Sequence, residues 1–385
     1  MPPNTRKLKS LEGLRGLAAL VVVFTHLRFF FFMDSEQKLE QFFSSLPYPL
    51  ARASRAVAES LYDGNFAVWT FWVMSSFVLS FKYFTCVQDP PKLAQQYLLM
   101  VSLKRYFRLA VPVLVSVMLA YFLLVSGLMS NNTLAKTYEG DYAAWIAGFY
   151  AFDADFFMAI KSALWDSFVS FDHDTTYNTV LWTIEKEFIG SLFLFVCLAL
   201  FGNRPRRWLW YLLVGIALAL LRLNWVIAFI VGMAICDIYT RPGSHASAVN
   251  LSKKILSHPA MAIMFAVLML VLIGLPNYKG IFHLILASTI VVLCLLSSPW
   301  EKIFSSYALV FLGKISFGLY LSHLLVICSF SCSLYLYLSC HVDRFVSVLL
   351  TLLFSLLVSL IIGWVVYNIG DRQGIRLASL IAKRM

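Results

Sequence analysis

One stretch near the start of the chain limits what the rest can be. Residues 10–33 read S-L-E-G-L-R-G-L-A-A-L-V-V-V-F-T-H-L-R-F-F-F-F-M, apolar for long enough to enter a bilayer yet carrying Arg15, His26 and Arg28. At 100° per helical residue, the step from Arg15 to His26 closes to within about 20° of three full turns, so the two side chains share a stripe. The same step rises roughly 16 Å, which puts the guanidinium near a membrane surface when the imidazole is inside the hydrocarbon. Ionisable side chains at that depth usually face a cavity or a partner where they do work, so His26 is the first functional candidate. Taken alone, a histidine bonded to a neighbouring helix and an arginine flanking the inner surface account for the pair equally well.

Composition extends this reading to the whole chain. Of 385 residues 60% are hydrophobic and 13% charged, against roughly 25% charged in soluble domains. The pattern is that of a multi-pass integral membrane protein, lodged in an endomembrane or the plasma membrane. The N-terminal run is expected to be retained, because its apolar part is longer than a signal peptide's, holds Arg28 and lacks a small-residue cleavage site. A net charge of +11 would raise nucleic acid as a partner in a soluble protein. Here 21 of the 31 lysines and arginines fall on one side of the expected spans and 8 on the other, with Arg28 and Lys186 in or at spans. The charge therefore reports topology, with both termini cytoplasmic and no nucleic-acid partner.

Ten spans are expected, at 10–33, 66–84, 109–128, 180–201, 209–221, 225–239, 260–275, 281–296, 312–330 and 345–369. Together they form an all-α polytopic bundle, one membrane domain over 1–385 with no soluble catalytic domain after it. The four short segments between 209 and 296 are counted as crossings because losing one inverts the charge bias. Residues 34–63 read as an outer loop, 82–104 as an inner loop, and 276–280 as a joint between spans. The outer segment 130–179 mixes acids with many aromatics, which suggests helices lying in the membrane interface, as an acceptor entrance or a structural lid. Asn131-Asn132-Thr133 on this side matches a glycosylation sequon. Cys332 and Cys340 share the outer segment 331–343, where a disulfide suits the compartment but cannot be deduced from spacing. Cys197, Cys236, Cys294 and Cys328 read as small apolar packers, and no Cys/His spacing suggests a metal.

Charged residues near the spans supply the remaining candidates. Arg105 and Arg108 are i,i+3 neighbours that present two guanidinium groups together, suited to phosphate, although an ordinary inner-flank cluster looks the same. Glu185, Lys186 and Glu187 open the span 180–201. Residues two apart on a helix lie 200° apart, so both carboxylates cannot face one cavity. His323 is a second intramembrane histidine, in F-L-G-K-I-S-F-G-L-Y-L-S-H.

The ordered segments resemble the acyltransferase 3 family of integral membrane acyltransferases over nearly the whole chain. L-x-G-L-R-G-L-A-A-L-x-V-V-x-x-H is similar to the family's opening helix, and F-W-V-M-S-S-F-V-L-S to its F-F-V-L-S-G-F, with Ser76 where a Gly is expected and backbone approach correspondingly less close. R-x-x-R matches Arg105 and Arg108. Trp-Ser-Leu followed by Glu maps to Trp182, Thr183, Ile184 and Glu187, and I-S-F-G-L-Y-L-x-H carries Tyr320 and His323. At the end of the last span Asp371 stands where Glu is frequent, and the Pro that often follows is absent.

The resemblance implies O-acyl transfer, often acetyl, from cytoplasmic acyl-coenzyme A to a hydroxyl of a glycan, lipid or small metabolite. It implies Arg15, Arg105 and Arg108 at the donor's phosphates, with His26 as proton acceptor. Glu187 would orient that imidazole or bind an acceptor hydroxyl, and His323, Tyr320 and Trp182 would support the site. Transfer is direct or runs through an acyl-enzyme. The rival readings are a proton-coupled transporter, which also uses intramembrane His and Glu, and a structural scaffold. No inverted repeat or pair of Gly/Pro-broken helices supports the transporter.

Overall fold

The computed structural model describes residues 6–32, 44–47, 50–51, 54–55, 58, 62–87, 91–241, 244–273 and 280–383. Among the described residues every regular element is helical and no strand forms. A helix stands at each of the ten segments whose apolar runs predict one. These are α1 (Arg6–Phe31), α2 (Gly64–Lys82), α3 (Pro91–Val125), α4 (Trp182–Phe201), α5 (Arg207–Leu220), α6 (Asn224–Thr240), α7 (Pro259–Ile273), α8 (Ile281–Leu296), α9 (Tyr307–Val326) and α10 (Arg344–Val366). Most of the expected outer loop 34–63 and of the joint 276–280 lies outside the described residues.

By length and composition, five of the described helices suffice to cross a membrane: Lys9–Phe31, Gly64–Thr85, Ala94–Val125, Tyr307–Ser339 and Arg344–Ile381. The number rises to seven if two bent pairs each count as one span, Val249–Leu256 with Pro259–Met269 at 82° and Ile281–Leu296 with Ser298–Phe304 at 96°. Helix α4 opens on three charges. Helices α5 and α6, of 14 and 17 residues, rise only about 21 and 26 Å against a roughly 30 Å hydrocarbon core.

Helix α3 departs most from expectation. It begins at Pro91, so most of the expected inner loop 82–104 is helical. Proline suits the first helical turn, where its missing N–H is not needed, and the Gln, Leu, Met and Lys that follow are good helix formers. The charges at Lys104, Arg105 and Arg108 do not end the helix; they ride on it.

The described chain divides into two compact units. The first comprises Met1–Val21, Gln41–Leu103 and Ile189–Lys314. Its core is α2 packed on α6 and α8, with α5 against α6. The close approach expected to loosen at Ser76 is kept by the facing helix: a Cβ at Gly232 would collide with the Ser76 Oγ, and that hydroxyl bonds the Val73 and Ala228 carbonyls at 3.0 and 3.3 Å. Buried Asp237 (1% exposed) is clasped by Arg207, by Arg241 at 2.9 Å and by the Tyr211 hydroxyl at 3.2 Å. Asp63 caps α2 through the Phe66 N–H at 2.9 Å, and its other oxygen meets His283 Nε2 at 2.9 Å.

The second unit comprises Val22–Glu40, Lys104–Phe188 and Ile315–Met385. Here α9 and α10 touch backbone to backbone, for a Cβ at Gly318 would run into the Gly363 carbonyl, and one at Gly363 would lie 2.8 Å from Leu319 Cα. Small residues at a crossing are how apolar helices approach without a hydrophobic drive between them. Part of the segment expected to lie flat outside instead runs along α3. Residues 156–169 are helical, with a wide π turn at Ser162–Asp166. The Phe156 ring meets Tyr121, whereas the Leu164 carbonyl accepts from the Tyr106 hydroxyl at 2.7 Å and the Phe168 ring packs tilted against Tyr106. Tyr121 and Tyr106 are about 22 Å apart along α3, and residues 156–168 cover about 18 Å as a helix. The two run antiparallel.

The contact at Gly318 gives a direct test of this packing. Gly318→Val is expected to destabilise the purified protein by about 2 kcal/mol or more through forced separation of α9 and α10. Gly215→Ala on α5, where an added Cβ meets nothing within 4 Å, should raise stability by about 0.5–1 kcal/mol. Thermal unfolding in detergent reads both, and a Gly318→Val variant as stable as wild type would contradict the close crossing.

Candidate functional site

The two intramembrane histidines meet. His323 on α9 is 0% exposed, and its Nδ1 lies 2.6 Å from the Tyr320 carbonyl oxygen and 3.3 Å from that of Leu319. A carbonyl only accepts, so this nitrogen carries the proton and Nε2 presents a lone pair. That Nε2 lies 3.3 Å from His26 Nδ1, which is itself 3.0 Å from the Val22 carbonyl oxygen. Both neighbours of His26 Nδ1 are then acceptors, and the assignment that avoids facing lone pairs puts the hydrogen there. The ring centroids are 4.9 Å apart and tilted by 58°. His26 Nε2 is left without a proton, ready to accept one, and a charge arising on His26 is shared through Nδ1 with His323.

A second pair joins residues that the sequence places at opposite membrane surfaces. Arg105 donates to the Glu187 carboxylate, with side chains only 9% and 14% exposed. The meeting follows from the fold of this unit: α3 is long, residues 156–169 run back beside it, and α4 therefore starts next to Arg105, with Phe188 also against Tyr106. Arg108 is exposed, so the two guanidinium groups of the R-x-x-R motif share a helix face but not an environment. Glu185 points elsewhere and accepts from the Phe171 N–H at 3.2 Å, as the 200° separation from Glu187 requires.

The supporting positions tie α4 to α9. The Tyr320 hydroxyl donates to the Val180 carbonyl at 3.0 Å and pairs with the Thr183 hydroxyl at 2.7 Å. Asn178 Nδ2 donates to the Leu321 carbonyl at 2.7 Å. Trp182 carries the Lys186 ammonium 4.3 Å from its ring centroid, which shelters that charge against an aromatic face. Arg15 belongs to the first unit, where its Nη2 donates to the Gly313 carbonyl at 2.8 Å. Thr183 lay inside the quoted Trp182–Glu187 pattern without a role of its own, and nothing in the sequence singled out Asn178.

Two outer-side expectations change. Asn131 is 0% exposed and its Nδ2 donates to the Ile146 and Phe149 carbonyls at 3.0 and 2.8 Å, so the sequon's amide is committed inside the fold and not presented to a glycosylating enzyme. Cys332 and Cys340 are both free. They begin and follow the same helix, Cys332–Ser339, and eight helical residues set them about 12 Å apart, beyond the reach of a disulfide. Outside the spans, the Asp172 carboxyl is held below its ordinary range by the Asp174 N–H and the Thr175 hydroxyl. Among the described residues no cluster of three or more His, Cys, Asp or Glu is arranged to hold a metal.

The profile of a family described as an acyltransferase domain matches residues 8–368, which takes in both pairs. No curated protein and no solved structure matches the chain.

The Arg105–Glu187 pair predicts a non-additive pattern. Arg105→Met or Glu187→Met strands the remaining charge and is expected to cost about 3–5 kcal/mol, whereas the double variant regains most of that loss. Thermal unfolding of the three variants in detergent checks this, and additive losses would show that the two side chains do not act on each other.

Proposed function

The chain belongs to the acyltransferase 3 family and is a membrane acyltransferase, and on that premise we propose that it moves an acyl group, in the first instance acetyl, from acyl-coenzyme A to the hydroxyl of a glycan, lipid or small metabolite. The observation that carries the proposal is the His26–His323 pair, because its proton assignment leaves one ring nitrogen basic at membrane depth. Nothing comparable favours the transporter.

In the proposed topology all ten helices cross the membrane as one domain and both termini are cytoplasmic. The donor's nucleotide cannot enter hydrocarbon, so it stays at the cytoplasmic surface while its pantetheine arm carries the thioester inward. Arg108, exposed on α3, grips the phosphates, and Arg15 of the first unit is assigned to the donor on the family resemblance alone. Arg105 completes the grip by exchange: a phosphate reaching its guanidinium substitutes for the Glu187 carboxylate. Glu187 is thereby released to orient His26 or to bind an acceptor hydroxyl. The segment 130–179 shapes the acceptor's entrance.

The reaction then balances without a further reagent. His26 Nε2 takes the proton of the acceptor hydroxyl as its oxygen attacks the thioester carbonyl. The C–S bond of the resulting tetrahedral adduct breaks, the acyl ester is complete, and the departing thiolate takes the proton back from His26. His323 Nε2 accepts the hydrogen bond from His26 Nδ1 throughout and steadies the transient imidazolium. Direct transfer of this kind needs no acyl-enzyme; Tyr320, paired with Thr183, holds α4 and α9 in register around it, and Trp182 shelters the neighbouring Lys186 charge.

Acetyl-coenzyme A binding and turnover by the protein in lipid nanodiscs test the proposal. His26→Ala is expected to keep donor binding and lose turnover by about 10²–10⁴-fold, and the Arg105→Ala/Arg108→Ala double variant to lose donor binding. Well-folded wild type that binds no acetyl-coenzyme A would overturn the donor assignment.

A further inference from the structure

Two buried polar atoms near the histidine pair have no hydrogen-bond partner among the described residues. The Tyr150 hydroxyl and the Asn131 Oδ1 are both enclosed and unbonded, in residues 6% and 0% exposed. The amide of Asn131 cannot turn to relieve this, since both donors of its NH₂ are in use on Ile146 and Phe149. Tyr150 is held at φ +59°, the left-handed region that a bulky side chain occupies only when its surroundings impose it. Burying an unpaired hydroxyl or carbonyl is costly enough that native proteins seldom keep one without a reason.

Their place in the fold supplies the reason. The Phe149 ring packs 5.7 Å from Phe30 and 4.9 Å from Trp145, and Phe30 is one helical turn after His26. The Ser130 N–H donates to the Cys328 carbonyl at 2.8 Å, and Cys328 follows His323 by five residues. Asn131 and Tyr150 are thus bracketed by the two segments that carry the imidazoles, about one turn, or 6–8 Å, further along each.

We propose that the Tyr150 hydroxyl and the Asn131 carbonyl form the acceptor subsite, and that the acceptor is polyhydroxylated, one hydroxyl reaching His26 while another bonds to Tyr150. This inference rests on the acyl-transfer reading above. A phenol that donates and accepts, an amide oxygen that only accepts, and the flanking rings of Phe149, Trp145 and Phe30 match the alternation of hydroxyls and apolar faces on a sugar. An alcohol with a single hydroxyl would occupy His26 and leave both atoms unpaired. A site with buried hydrogen-bonding groups discriminates strongly against such a ligand.

The test uses octyl glucoside and octanol, which share a tail and differ in hydroxyl number, as acceptors with acetyl-coenzyme A in nanodiscs. Wild type is expected to prefer octyl glucoside in kcat/KM. Tyr150→Phe removes an atom with no protein partner, so the fold should persist, and it is expected to lower that preference about tenfold, mainly through KM for the glucoside. Binding of octyl glucoside without donor should weaken in parallel, a change that a merely structural tyrosine would not produce. An unchanged preference in a variant that melts like wild type overturns the subsite, as does a wild type that binds acetyl-coenzyme A yet acylates no glucoside. Failure of wild type to bind acetyl-coenzyme A at all would instead strike the donor assignment.

Discussion

Where a chain is mostly apolar helix, a buried charge is costly unless it finds a partner inside the protein, and such pairings decide where the helices meet. The described residues satisfy that constraint by clasping charge. Asp237 is buried between two guanidinium groups and a phenol, and Arg105 and Glu187 pair within α3 and α4. Breaking such a pair is far more costly than never having made it, because desolvation of the survivor is left uncompensated. That asymmetry makes the pairs reliable markers of fold, and it also allows exchange. An incoming anion that takes one partner holds that charge satisfied but leaves the other needing a new partner, so exchange proceeds only where the freed group is bonded again at once.

The descent of residues 156–169 along α3 is a consequence of the same constraint. Had that segment not run back along α3, Glu187 would not have opened α4 beside Arg105. By carrying the chain inward first, the segment lets α4 begin beside the middle of α3. Its own polar backbone is served by helical bonds.

A helix at each of the ten expected segments was legible from its apolar run, since Leu, Ile, Val and Phe dominate stretches of thirteen residues or more there. The step from Arg15 to His26 placed a histidine where α1 passes its partner, and the I-S-F-G-L-Y-L-S-H segment placed another. What the sequence could not supply was which histidine faces which, because periodicity fixes a face and not a neighbour. Charge was read less well. Lys104, Arg105 and Arg108 read as the edge of a span, yet α3 begins at Pro91, because basic side chains mark a membrane edge and do not end a helix, and the good helix formers before them carry it back to the proline. Ser76 misled for a similar reason: the glycine that lets α2 and α6 touch is Gly232, on the other helix. The sequon at Asn131 matched a pattern that says nothing about burial.

Unpartnered polar atoms carry information only where the protein has no means of relieving them. Thr351, Ser355 and Ser359 on α10 also leave buried hydroxyls unbonded, and with Ser347 and Gly363 they recur every four residues along one face. Their size explains them, since small side chains on that face let α10 close on α9 at Gly363. Each hydroxyl can also turn about χ1 toward the carbonyl one turn back, so its isolation costs little. Tyr150 has no such recourse: its oxygen stands at the end of a rigid ring, beyond its own backbone. Asn131 has none either, with both amide hydrogens committed. The φ of +59° at Tyr150 and the fixed amide of Asn131 hold in place two polar atoms that have no partner among the described residues, which is why they, and not the hydroxyls of α10, support the acceptor subsite proposed above.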